Sequence, residues 1–87
     1  MKELNELLAF EQRDTALHKT REIYGLLIAD LAVRIAQCSE DSEKYSVLVE
    51  QQMQYQTQQR HLHQLNTQQL EQRSQELAQQ VKARYTA

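Results

Sequence analysis

Asp14, His18 and Glu22 stand four residues apart, so on a helix they rise along one ridge and present an imidazole between two carboxylates. Those groups in that spacing could form a weak metal-binding face. No further ligand cluster accompanies them, so they read as solvated polar surface and no metal site is expected. His61 and His63 are two apart and point to nearly opposite sides of a helix, where they cannot chelate together. Cys38 is the single cysteine. It excludes an internal disulfide, favours a reducing compartment and reads as a small buried residue, because no glycine-rich turn or nucleophile signature surrounds it. The chain holds no phosphate loop, dinucleotide fingerprint, paired CxxC or nucleophile elbow. The expectation is a protein that is not an enzyme, with no catalytic residue and no cofactor.

What could position any of these groups is a set of helices. The 87 residues contain no proline and one glycine, and Leu, Glu, Gln, Ala, Lys and Arg dominate, all of which lose little by being helical. An all-α chain of a single domain, residues 1–87, follows. Between Leu4 and Cys38 a seven-residue series, Phe10, Leu17, Tyr24, Leu31 and Cys38, marks one face, widened by Leu7, Ile28 and Ile35. That pattern predicts a helix over 4–38. In the stretch from Cys38 to Lys44 the apolar residues vanish, and Ser39, Asp41 or Ser42 could cap a second helix. A turn at 39–43 follows, although no glycine or proline enforces it and one continuous helix would also satisfy the composition. The second helix is expected over 44–85. Its stripe runs Leu48, Tyr55, Leu62, then after an eight-residue step Leu70 and Leu77, then Val81 and Tyr85; Gln52, Gln59, Asn66 and Arg73 share the same face. Thirteen of the fifteen glutamines fall between Gln51 and Gln80, and with leucines at helical spacing among them the tract reads as helix and not as aggregating low complexity.

Folding at the turn gives a two-helix antiparallel hairpin in which facing residue numbers sum to roughly 80. Tyr24 then meets Tyr55, Leu17 meets Leu62 or Leu65, Phe10 meets Leu70, and a facing ring is one way to explain Gly25 inside a helix. The charges suit this arrangement: residues 1–50 hold six basic and ten acidic groups, and residues 51–87 hold four basic and two acidic. The net charge of −2 gives no field that would by itself draw nucleic acid or an anionic membrane. The apolar stretch from Tyr24 to Ala36 spans ~20 Å as a helix, against ~30 Å of bilayer hydrocarbon. Asp30 and Arg34 interrupt it, so no membrane partner is expected. The first ten residues lack the basic-then-apolar order of a secretory signal, and the expected location is cytoplasmic.

That same stretch is apolar on every side, and one helix of a hairpin covers only one of them. Leu26 and Val33 point away from the covered stripe, which implies self-association through Tyr24, Leu26, Leu27, Ile28, Leu31, Val33 and Ile35, as a homodimer forming a four-helix bundle or coiled coil. The half-polar outer part of the second helix, with Leu65, Leu70, Arg73, Leu77, Val81 and Tyr85, is the expected surface for a helical protein client. The function these features point to is a small oligomeric adaptor, assembly factor or chaperone. The alternative is a small dimeric nucleic-acid-associated regulator using basic C-terminal arms, but Arg60, His61, His63, Arg73, Lys82 and Arg84 are dispersed where such binding needs a concentrated patch.

Overall fold

The computed structural model describes residues 2–86, with side chains from 3 to 84. These residues form three α-helices, α1 (Lys2–Ala36), α2 (Glu43–Arg60) and α3 (Thr67–Thr86), with a short 3₁₀ turn at Leu62–Gln64 between the last two. There is no strand among them. α1 tightens as it ends, the amides of Gln37 and Cys38 bonding three and four residues back. Ser42 then caps α2: its backbone is extended and its hydroxyl accepts the Tyr45 amide at 3.1 Å. Glu43 follows in the first turn, where the helix dipole favours an anion.

α2 runs back along α1. Gln52 donates to the Ile28 carbonyl at 3.2 Å and Gln59 donates to the Arg21 carbonyl at 3.1 Å, two pairs whose numbers both sum to 80. Tyr24 and Tyr55 meet edge to face with ring centroids 6.0 Å apart. The glutamines on the α2 stripe therefore bind backbone carbonyls of α1, which explains how a half-polar seam packs.

The expected second helix over 44–85 does not exist as one piece. α2 stops at Arg60, the chain passes through the 3₁₀ turn, Leu65 is extended, and α3 begins at a new cap. That cap is reciprocal: Asn66 accepts the Gln69 amide at 2.8 Å through Oδ1, and Gln69 accepts the Asn66 amide at 3.0 Å through Oε1. The break also lies over Arg13, whose guanidinium donates to the carbonyls of His63 (2.7 Å) and Leu65 (3.2 Å). Beyond it α3 travels in the same direction as α1, since Thr20 bonds the Leu70 carbonyl, Arg73 bonds Tyr24 and Arg84 bonds Asp30. The two-helix hairpin is thus corrected to three helices with α1 as the shared spine, in a molecule 60 × 26 × 15 Å in extent. The eight-residue step between Leu62 and Leu70 falls across this reversal.

Buried Ala16, Tyr24, Leu27 and Leu31 of α1 pack with Leu48 and Tyr55 of α2, Leu62 of the turn, and Leu70 and Leu77 of α3. One expectation fails with the reversal: Leu70 lies beside Thr20, leaving Phe10 exposed. Of the two readings of Gly25, a ring packed over it or a glycine tolerated without one, the second fits, since an added Cβ there would find open space.

Candidate interaction surface

Leu26, Ala29 and Val33 lie three and four residues apart on α1, so they form one apolar row. α3 approaches its edge with Val81, and the two helices enclose a shallow groove of about 300 Å³. Leu26 is 66 % exposed and Val33 is 58 % exposed. The rim on the α3 side is charged: Asp30 accepts from Arg34 at 3.0 Å and from Arg84 at 3.4 Å, neutralising the carboxylate where the groove closes.

The residues expected to mediate self-association divide into two groups. Tyr24, Leu27 and Leu31 are buried within the chain, and Ile28 and Ile35 are half-buried against the same core. Only Leu26 and Val33 of that set face outward, with the neighbouring Ala29, Ala32 and Ala36 also exposed. The set expected to bind a client is placed differently again. Leu70 (0 % exposed) and Leu77 (2 %) are inside, and Leu65 and Val81 are half-buried against the core. Arg73 donates to the Tyr24 hydroxyl at 2.8 Å. The side chain of Tyr85 lies outside the described residues. What α3 turns outward is mostly amide: Gln68, Gln72, Gln75 and Gln79 are all exposed.

A second exposed apolar cluster sits on the first three turns of α1, where Leu4, Leu7, Leu8 and Phe10 are 47–65 % exposed. The heptad series counted Phe10 and Leu7 as core because their spacing continues that of Leu17 and Tyr24. Spacing along α1 carries no information about where its partner helices end, and they turn at the level of Arg13.

Two of the three histidines make local contacts. His18 pairs with Glu22 at 3.1 Å, and both are exposed. His63 shares its Nδ1 with the Arg60 carbonyl at 2.8 Å. Cys38 is a free, half-buried thiol packed at the edge of the core. Among the described residues no three His, Cys, Asp or Glu side chains come together to hold a metal ion, and no helix is long and apolar enough to cross a membrane. Of the dispersed basic residues, Arg73 and Arg84 are turned inward onto Tyr24 and Asp30. No family model, no curated protein and no solved structure matches this chain.

Proposed function

We propose that this protein is a non-enzymatic protein-protein interaction module, a small helical adaptor, assembly factor or chaperone that self-associates and binds a helical client. The observation that carries the reading is the exposure of Leu26 and Val33 together, beside a groove that stays open among the described residues. A large aliphatic side chain gains ~1.5–3 kcal/mol on burial, so leaving such a row in water is costly unless another surface covers it. Self-association therefore centres on the outward side of the Tyr24 to Ile35 segment. The client surface is not the Leu70 and Leu77 row, which serves the core; the glutamine-rich outward side of α3 is what that arm offers, as amide donors and acceptors.

The test is light scattering coupled to gel filtration at micromolar concentration. The expected result is a dimer or larger species for the natural chain and a helical monomer when Leu26 and Val33 are both replaced by glutamate. A compact monomer from the natural chain, unchanged on concentration, would remove self-association from the reading.

A further inference from the structure

We propose that two copies of this chain pair antiparallel along the outward face of α1, the first turns of one α1 covering the Leu26 to Val33 row of the other. This rests on the self-association reading and supplies its geometry. At ~100° per residue, Leu4, Leu8, Leu26, Ala29 and Val33 fall within about 60° of one another, on the side of α1 turned away from buried Tyr24, Leu27 and Leu31. All five are exposed. One helix face thus carries an apolar patch at each end, separated by Glu11, Thr15 and Glu22. A two-fold axis crossing α1 between His18 and Lys19 places Leu4 opposite the second copy's Val33, Leu8 opposite its Ala29 and the aliphatic stem of Glu11 opposite its Leu26, and repeats these contacts at the other end.

Charge selects this direction. Residues 2–17 hold two basic and four acidic side chains, and residues 18–36 hold three basic and two acidic, so the two halves of α1 have net charges of −2 and +1. Arg13, one of the two basic groups in the first half, is turned onto the carbonyls of His63 and Leu65, which leaves the outward surface of that half more acidic still. A parallel pairing would lay Glu11 and Glu22, the two carboxylates on this face, each against its own copy. The antiparallel pairing separates both from their own copies, with Glu22 opposite Thr15, and it opposes the two helix dipoles.

Area argues for the whole helix. The Leu26 to Val33 row alone is a strip ~12 Å long and ~10 Å wide, too small for a stable contact. α1 has 35 residues. At ~1.5 Å per residue its full face gives about 500 Å² per partner, which reaches the ~1,000 Å² total that a specific interface needs. A helix from a different protein could cover the row, but it would leave Leu4 and Leu8 in water unless it matched the same spacing.

Cysteine pairing tests the register. With Cys38 replaced by serine, Leu8→Cys and Ala29→Cys chains are mixed under reducing conditions and then mildly oxidised. Both positions are exposed, so the bundle should keep its helix content by circular dichroism. The expected result is a disulfide-linked mixed dimer comprising about half of the chains, as random mixing requires, with neither variant cross-linking alone. In the proposed pairing each residue lies ~31 Å from its own copy, far beyond disulfide reach. Cross-linking of Leu8→Cys to itself, or no linkage in a chain that still scatters as a dimer, overturns the antiparallel arrangement and leaves self-association standing. A monomer in scattering overturns both.

Discussion

The hydroxyl of Tyr24 ties both later helices to α1. It donates to Gln58 Oε1 on α2 at 2.9 Å and accepts from Arg73 on α3 at 2.8 Å, while its ring packs against Tyr55. Tyr24→Phe keeps the ring and removes the hydroxyl, so it should cost about 1 kcal/mol; Gln58 and Arg73 can each turn to water, which limits the loss. In a chain of this size that is a fall of roughly 4–8 °C in melting temperature. An unchanged melting temperature would mean that the ring alone matters. Leu70 and Leu77 test the opposite kind of contact. Each replaced singly by alanine should cost ~2–5 kcal/mol in denaturant unfolding, because each leaves a cavity against α1. A loss well under 1 kcal/mol for both would mean that α3 does not pack there in solution. Thr20 shows how a polar group is tolerated in the same layer: it is fully buried and its hydroxyl lies within hydrogen-bond distance of the Ala16 and Leu70 carbonyls. The pairing of Tyr24 with Tyr55 could be read from the sequence, since both lie on seven-residue series converging on one turn. The pairing of Thr20 with Leu70 could not, because it depends on α3 reversing direction.

At the scale of elements, the connection from His61 to Asn66 decides the architecture. It contains no glycine or proline. Local propensity alone would allow α2 to continue, and two weaker devices accompany its end: the reciprocal Asn66 and Gln69 cap, and the Arg13 clamp on two carbonyls that the break leaves outside an α-helix. Asn66→Ala should therefore cost ~0.5–2 kcal/mol, in the range for loss of a side-chain cap. Arg13→Ala should raise amide exchange in residues 61–66 well before it affects the centres of α1 and α2, since it removes a contact confined to that connection. Equal protection of 61–66 in the natural and substituted chains would show that the cap alone holds the turn. The Asn66 and Gln69 spacing is a start signal visible in the sequence, yet it sits inside a run of leucines and glutamines that reads as continuous helix. Ser42 had no such competitor, because apolar residues are absent around it.

For the whole molecule, α1 keeps an outward face that α2 and α3 leave uncovered, with exposed apolar side chains in its first turns and again from Leu26 to Val33. If the two ends cover one another between copies, Leu4→Glu with Leu8→Glu should dissociate the oligomer as completely as Leu26→Glu with Val33→Glu, although the two pairs lie far apart on one chain. Val47→Glu with Met53→Glu, on exposed positions of α2, should leave it intact. Sedimentation of the three variants separates these outcomes, and an oligomer lost only with the α2 pair would move the interface to α2. The sequence by itself determined that the chain is helical; it favoured a turn between Cys38 and Lys44, and for a chain folded there it placed facing residues at numbers summing to roughly 80. Each of these follows from short-range propensity, a local cap, or apolar spacing within one helix. Only the tertiary structure decided that the second helix breaks and that Leu70 and Leu77 close the core instead of facing outward. One of the contacts at that break comes from Arg13, fifty residues earlier in the chain, and a helix-former pattern is blind to a carbonyl partner that only folding brings near.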